Sequence, residues 1–166
     1  MTISIRSATP DDMEAVQQIY AHHVLNGTGT FEEVPPDLAE MQRRLGTVLA
    51  NDLPWLVAES DGEINGYAYA QRYHARSAYR RTLEDSVYVR PSLTGAGIGT
   101  ALLGELIARC TALGYREMIA VIGDSGNAGS IRLHEGLGFT RAGLLQNVGY
   151  KFDRYLNVML MQKSLA

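Results

Sequence analysis

The sequence contains a single cysteine, Cys110, and this excludes an internal disulfide. Cys110 falls on the apolar side of a predicted helix, where a thiol usually behaves as a small hydrophobic side chain. For the same reason we do not expect a cysteine nucleophile. This use of cysteine favours a reducing compartment.

Long apolar runs and blocks of like charge are also missing. Charged residues interrupt every hydrophobic stretch well before membrane-spanning length, and the N-terminal residues have no signal-peptide core. We therefore expect a soluble, cytoplasmic protein. Fifteen basic residues against eighteen acidic residues give a net charge of −3, which disfavours nucleic acid and anionic membranes as partners.

Histidine is scarce, and its spacing does not indicate a metal site. His22, His23 and His74 show no pattern with cysteines or carboxylates that is typical of metal ligands. Internal repeats, low-complexity tracts and linkers are absent as well. We therefore expect one domain over residues 1–166 and no metal.

Hydrophobic periodicity predicts four helices. The clearest spans residues 97–113, where apolar residues recur at helical spacing and Gly114 follows as a C-cap. Thr9 and Asp37 are the predicted N-caps of two earlier helices, the first running to about residue 23. A short helix is predicted at residues 127–137.

The remaining apolar segments predict strands, and the resulting order is β-α-α-β-β-β-α-β-α-β-β. Asp61-Gly62 predicts a hairpin turn between strands 55–58 and 64–72. The other strands are predicted at residues 3–8, 82–89, 118–122, 139–144 and 155–161. This order indicates an α/β (α+β) fold, with a mixed sheet and helices on its faces.

A glycine-rich turn follows strand 82–89. Gly95, Gly97 and Gly99 let the main chain approach an anion without Cβ obstruction, and the free N–H groups of the following helix point at that anion. The turn is not a dinucleotide fingerprint, which needs glycine where Thr100 stands, and it lacks the Gly-Lys-Ser/Thr ending of a Walker loop. It predicts a phosphate site; the alternative is a flexible connection that binds nothing.

About thirty residues later stand Asn127, Ser130 and the segment Leu133-His134-Glu135-Gly136-Leu137-Gly138-Phe139. With the glycine turn, this segment makes the whole chain resemble the GNAT N-acetyltransferases. The resemblance implies a GNAT fold whose sheet splays apart to hold acetyl-CoA, with the pyrophosphate at the glycine turn. The residues that it assigns to acetyl-CoA are Val87, Tyr88, Val89, Thr94, Gly95, Ala96, Gly97, Ile98, Gly99, Thr100, Asn127 and Ser130.

Six segments are similar to the phosphinothricin acetyltransferases within that superfamily. They are residues 54–59, 75–79, 82–89, 120–123, 132–135 and 149–151. That subfamily includes enzymes for methionine sulfoximine and methionine sulfone, and it acetylates the α-amine of glutamate-like amino acids. The resemblance implies a homodimer with a role in detoxification. The chain departs from the superfamily at Thr94, where Arg or Gln is usual, so we expect coenzyme A binding to depend more on backbone N–H groups.

Glu84 is the candidate general base. An ammonium group cannot attack a thioester until it loses a proton, and a carboxylate on strand 82–89 could take that proton. Glu84 also matches the glutamate of the subfamily. The alternative is an ion pair with Arg80 or Arg81 on a solvated face.

His134 is the candidate general acid. It stands where many superfamily members have tyrosine, and imidazole titrates near neutral pH, so His134 could protonate or hydrogen-bond the departing thiolate. The alternative is a packed structural histidine. Backbone N–H groups near Tyr88 and Val89 are expected to polarise the thioester carbonyl.

Recognition of a free amino acid needs a cation for its carboxylate, and Arg76 is the candidate. The segment with Arg76 also supplies His74 and Tyr79 to the expected pocket. The resemblance places the acceptor side chain beside Phe31 and Glu32. The full set of expected substrate-binding residues is Phe31, Glu32, His74, Arg76, Tyr79, Glu84, Asp85 and Ser86.

These observations favour an enzyme that transfers acetyl directly from acetyl-CoA to a small amino acid. Two alternatives remain open at this point. The chain could be a non-catalytic acyl-CoA sensor, or it could acetylate a protein N-terminus. A carboxylate clamp at Arg76 argues against the latter, because a peptide has no free carboxylate at that position.

Overall fold

The computed structural model describes residues 1–166 and contains one seven-stranded sheet. The strand order is β1-β2-β3-β4-β5-β7-β6, and every neighbouring pair is antiparallel except β4 and β5. The mixed sheet and the predicted order of elements are confirmed. The strands are β1 Ser4–Ser7, β2 Trp55–Ser60, β3 Glu63–Arg72, β4 Thr82–Val89, β5 Glu117–Gly123, β6 Thr140–Lys151 and β7 Arg154–Ser164.

Helices cover both faces of the sheet. They are α1 Met13–Asn26, α2 Leu38–Ala50, α3 Ile98–Ala112 and α4 Ala128–Gly136. On β4, Tyr88 contacts Tyr20 of α1, whereas Asp85 bonds His134 of α4. Side chains three apart on a strand point to opposite faces, so α1 and α4 lie on opposite sides.

The local signals for the helix starts are confirmed with one change. The Asp37 side chain accepts from Glu40 N at 2.8 Å, as an N-cap does. At Thr9 the chain first forms a 3₁₀ turn, Pro10–Asp12, and the regular helix begins at Met13. The turn is tightened because the Asp12 carboxylate binds Thr9 N and Arg6, each at 2.8 Å.

The closing strands are longer than predicted. The Asn147-Val148-Gly149 segment is polar and glycine-containing, and the predicted strand 139–144 stops before it. In the structure β6 continues through this segment by a bulge, where the register with β7 shifts between Leu145 and Gly149. Asn147 adopts a φ of 58°, which asparagine tolerates, and the strand then runs on to Lys151.

Apolar packing against the sheet fixes the positions of the helices. Trp55 is 1% exposed and stacks on Tyr69 at 4.1 Å between ring centroids. Cys110 is buried in α3 as predicted, and burial raises the pKa of its thiol to about 12. None of the helices combines the length and hydropathy that crossing a membrane requires.

Candidate active site

The central cleft opens where β4 and β5 separate. Their parallel pairing ends at Glu84 and Ile119, although β4 continues to Val89 and β5 to Gly123. The gap continues into a cleft of about 1010 Å³. Of the residues assigned to acetyl-CoA, all line this cleft except Ala96.

Backbone polar groups of β4 face this gap. Arg90 N donates to Asn65 O at 2.8 Å, so the register pair Val89 and Gly66 is of the non-hydrogen-bonded kind. The N–H and C=O of Val89 therefore point away from β3, towards β5, and those of Val87 do the same. The Tyr88 N–H points towards β3 instead, which corrects its expected role beside the thioester.

One of these groups already has a partner. The Val89 carbonyl accepts a hydrogen bond from His23 Nε2 at 2.8 Å. Burial lowers the pKa of His23, so its ring is neutral when it makes this bond. Three backbone groups without a partner are directed at the cleft: the N–H and C=O of Val87 and the N–H of Val89. No local pattern indicates this role for His23, because its partner lies sixty-six residues away.

The glycine turn has the conformation that an anion cradle needs. Gly95 and Gly97 have φ values of 82° and 86°, in the left-handed region that favours glycine. Ala101 N donates to Gly97 O, the first bond of α3, so the N–H groups of residues 98–100 have no partner within the helix. Free N–H groups at the positive end of a helix dipole fit a pyrophosphate. The side chain of Thr94 bonds only Pro91 O, at 3.3 Å.

Glu84 lies at the mouth of the gap without a cationic partner. Gln71 Nε2 donates to its carboxylate at 3.4 Å, and no ion pair forms with Arg80 or Arg81. Burial raises the pKa of Glu84, and the nearby charge of Asp85 acts in the same direction. The ion-pair alternative is therefore wrong, and no cation lowers the pKa of this carboxylate.

His134 and Asp85 both line the cleft and are bound to each other. His134 Nε2 lies 2.8 Å from Asp85 Oδ2, and Nδ1 donates to Ser130 O at 2.7 Å. Both side chains are almost fully buried, at 5% and 2% exposure. His134 thus has no unengaged N–H for a leaving group, and the Asp85 carboxylate is committed to the imidazole rather than to a substrate.

The acceptor side of the cleft is formed by a loop that reaches over β5 and β6. Phe31 lines the cleft, and its ring lies against Gly149, where a Cβ would overlap it. Thr28 Oγ1 donates to Asp124 Oδ2 at 2.7 Å, and Lys151 Nζ donates to Thr30 O at 2.9 Å. These bonds hold Phe31 in place at the cleft wall.

Glu32 does not face the cleft, contrary to expectation. Its carboxylate accepts from Tyr20 and from both terminal nitrogens of Arg44, at 2.7 and 3.1 Å. The Arg44 bonds lower the pKa of Glu32 despite its partial burial. Glu32 therefore ties the Phe31 loop to α1 and α2. This contact spans twelve residues and has no local signature.

Arg76, His74 and Tyr79 lie on the exposed segment between β3 and β4. The rings of His74 and Tyr79 are 4.9 Å apart, and Arg76 precedes the 3₁₀ turn Ser77–Tyr79. None of these three residues lines the cleft of a single chain, whereas Ser86 does. The structure thus brings Glu84, Ser86 and Phe31 together and leaves the expected carboxylate clamp outside.

A model of the Acetyltransferase (GNAT) domain matches residues 5–160 of the chain. The chain belongs to the GNAT acetyltransferases. It is 53% identical over 162 residues to a phosphinothricin N-acetyltransferase from Alcaligenes faecalis, covering 98% of this chain and 82% of the relative. It is 42% identical over 166 residues to an L-methionine sulfoximine/L-methionine sulfone acetyltransferase from Pseudomonas aeruginosa, covering 99% and 96%.

Solved GNAT structures share the same fold and show its donor. A phosphinothricin acetyltransferase from Sinorhizobium meliloti, crystallised with acetyl-CoA, superposes with a TM-score of 0.97 at 47% identity, covering 100% of this chain and 90% of that one. YncA from Salmonella typhimurium, also with acetyl-CoA, superposes with a TM-score of 0.97 at 36% identity. The match covers 100% of this chain and 95% of YncA. This GNAT chain is therefore an amino-acid N-acetyltransferase that uses acetyl-CoA.

Proposed function

We propose that the enzyme acetylates the α-amine of a small glutamate-like or methionine-derived amino acid by direct transfer within a ternary complex. Phosphinothricin, methionine sulfoximine and methionine sulfone are the candidate acceptors, because relatives at 53% and 42% identity are named for them. The observation that carries the proposal is the position of Glu84. An uncompensated carboxylate of raised basicity stands where the strands begin to separate.

Glu84 would take a proton from the acceptor ammonium, directly or through one water. The amine then attacks the acyl carbon, the new N–C bond forms, and the C–S bond breaks with its electron pair left on sulfur. The Val89 and Val87 N–H groups, directed at the gap, are suited to stabilising negative charge on the carbonyl oxygen. The buried Cys110, with its raised pKa, offers no acyl-enzyme route.

The donor would be held by the free N–H groups at the start of α3 and by the cleft walls. Asn127 caps α4 by accepting from Ser130 N at 3.3 Å, and both residues line the cleft. Thr94 contributes no charge, so the backbone must supply most of the attraction for the pyrophosphate. Acetyl-CoA bound there supplies an activated acyl group.

Arg76 is proposed as the partner of the acceptor carboxylate. Its guanidinium is exposed and has no acidic partner, and its segment begins just after Gln71, which touches Glu84. Tyr79 and His74, whose rings meet edge-on nearby, are proposed to border the same subsite. A free α-carboxylate would then separate amino acids from peptide N-termini as acceptors.

We further propose that the enzyme works as a homodimer in the cytoplasm, where it detoxifies analogues of glutamate. Support for the dimer comes from edge strand β6, which carries exposed apolar side chains along an unpaired edge. Val148 and Tyr150 are 58% and 56% exposed, and Tyr155 on β7 is 68% exposed. The single buried thiol favours a reducing compartment.

Thiol release from acetyl-CoA should be measured with a panel of amino acids and their sulfoximine, sulfone and phosphinate analogues, and with short peptides. Turnover confined to free amino acids is the expected result. Turnover only with peptides would instead identify a protein N-terminal acetyltransferase. An enzyme that binds acetyl-CoA by calorimetry but turns over none of these acceptors would support the sensor alternative and overturn the proposal.

A further inference from the structure

A buried polar pair spans the space between β4 and α4. It joins the Asp85 carboxylate to the His134 imidazole at 2.8 Å, with 2% and 5% of the two side chains exposed. Asp85 Oδ1 is buried and has no hydrogen-bond partner. A buried carboxylate with one unpaired oxygen is costly unless its other oxygen makes a strong, charge-assisted bond.

The hydrogen bonds of the ring constrain its protons. A carbonyl oxygen can only accept, so the 2.7 Å contact with Ser130 O places a proton on His134 Nδ1. The second nitrogen faces the carboxylate, and a proton there makes the ring an imidazolium. His134 lies in the last turn of α4, where the helix dipole favours a cation.

We propose that Asp85 is a positioning residue that holds His134 as a fixed imidazolium, whose two N–H groups stay inside the protein and fasten α4 to β4. This inference rests on the transfer function proposed above. It assigns His134 to the wall of the cleft and not to proton donation. The ammonium loses one proton to Glu84 before the attack, and the second nitrogen proton, which is released once the N–C bond has formed, passes through water to the leaving sulfur.

The surroundings of the ring support this assignment. Besides Asp85, the only titratable groups close to the pair are Glu84 on β4 and the thiol of Cys110 on α3, which stays neutral. Phe139 meets the ring edge-on at 4.9 Å between centroids. Glu84 makes no hydrogen bond to the ring, so the proton on Nε2 is held by the Asp85 carboxylate.

The pair matters for the cleft because α4 has few other anchors. Only Ile131 and His134 of this helix are buried. The first turn of α4 carries Ser130 into the cleft, next to the cap residue Asn127. The position of these donor-binding residues thus depends on the bond between His134 and Asp85.

The test is two-bond proton–nitrogen correlation spectroscopy of the free enzyme labelled in histidine. The His134 signals are identified by their loss in His134→Gln, and His22, His23 and His74 serve as internal controls. We expect both ring nitrogens of His134 to be protonated at neutral pH. In Asp85→Asn we expect Nδ1 to keep its proton and Nε2 to lose it at the same pH, with the control signals unchanged.

An unprotonated Nε2 in the wild-type enzyme at neutral pH would overturn the proposal, as would an Asp85→Asn spectrum identical to that of the wild type. If Asp85→Asn fails to fold, the wild-type spectrum decides alone. The measurement needs no substrate, so it is independent of whether acetyl transfer occurs. A wild-type enzyme that is inactive on every acceptor would overturn the proposed function. The spectrum would still decide whether His134 is an imidazolium.

Discussion

Glu84 and Ile119 form the last register pair between the only two parallel neighbours of the sheet. Beyond this pair the two strands share no further register, so the Glu84 carboxylate stands beside unpaired backbone groups of β4. The base and the groups that can stabilise the oxyanion therefore come from one strand. Their relative position is fixed by the sheet and not by a mobile loop.

Replacing Glu84 with Gln should abolish proton abstraction while keeping the shape of the site. We expect kcat to fall by about 100-fold to 10,000-fold, with the Kd for acetyl-CoA unchanged. Because burial raises the pKa of Glu84, the wild-type kcat/KM should decline on the acid side at a higher pH than an ordinary glutamate would give. Glu63→Gln, an exposed change on β3, is the control and should retain full activity.

Gly97 should be essential to the donor site because its φ of 86° is unfavourable for residues with a Cβ. Gly97→Ala introduces strain of about 1–2 kcal/mol at the start of α3. Acetyl-CoA affinity measured by calorimetry should fall about 10-fold. Gly104→Ala is the matched control within α3, where an added Cβ has no atom within 4 Å. It should stabilise the helix by about 0.5–1 kcal/mol without changing affinity.

A methyl group at residue 149 should displace Phe31 from the acceptor pocket. We expect Gly149→Ala to raise the KM for the amino acid about 10-fold or more and to leave the KM for acetyl-CoA nearly unchanged. Gly143→Ala in the same strand, where a Cβ meets no atom within 4 Å, tests for a general effect on β6. Equal kinetics for the two variants would show that Phe31 does not shape the pocket.

The Asp85–His134 pair should make stability depend on pH. Burial is the largest single influence and lowers the pKa of His134, but the Asp85 bond, the Asp85 charge and the Ser130 bond together outweigh burial and raise that pKa. The pair therefore stabilises the folded state most below the ordinary imidazole pKa, and its contribution is lost as pH rises through the raised value. Wild type should exceed Asp85→Asn in free energy of unfolding by about 3 kcal/mol near pH 6.

Denaturant unfolding at about pH 6 and about pH 9 measures this difference. The difference in free energy of unfolding between wild type and Asp85→Asn should be smaller at the higher pH. A difference in free energy of unfolding that stays constant or grows with pH would show that the bond does not depend on a charged imidazole. Arg43→Gln, which removes an exposed pair on α2, should show no such pH dependence.

The assembly proposed at β6 can be disrupted by a charge. Val148→Lys should convert a species of twice the 18.2 kDa chain mass into a monomer in sedimentation equilibrium. The matched control is Val34→Lys, because Val34 is 81% exposed on a different part of the surface. A wild-type protein that sediments as a monomer would contradict the proposed dimer.

Local signals allowed most of the fold to be predicted from the sequence. The Asp37 cap, the Asp61-Gly62 hairpin and the Gly97 turn each depend on adjacent residues, and the structure has all three. Strand β6 was cut short because Asn147 resembles a turn residue, while pairing with β7 carries the strand through a bulge.

The candidate site was predicted less completely, for a different physical reason. Glu84 is placed by the strand that contains it, whereas Phe31 is placed by the long-range bonds of its loop. The contact between His134 and Asp85 was not predicted, because it joins residues forty-nine positions apart. Glu32 likewise finds Arg44 on a neighbouring helix. Such pairings are set by tertiary packing, which a single sequence does not reveal.

The burial of Cys110 has a practical consequence for measuring thiol release. Its side chain is fully enclosed in α3, and its thiol stays protonated under all ordinary conditions. A colorimetric disulfide reagent added to the native protein should therefore titrate only the coenzyme sulfhydryl released by turnover. The folded chain contributes no background colour, and a slow rise in blank signal would report unfolding of the sample.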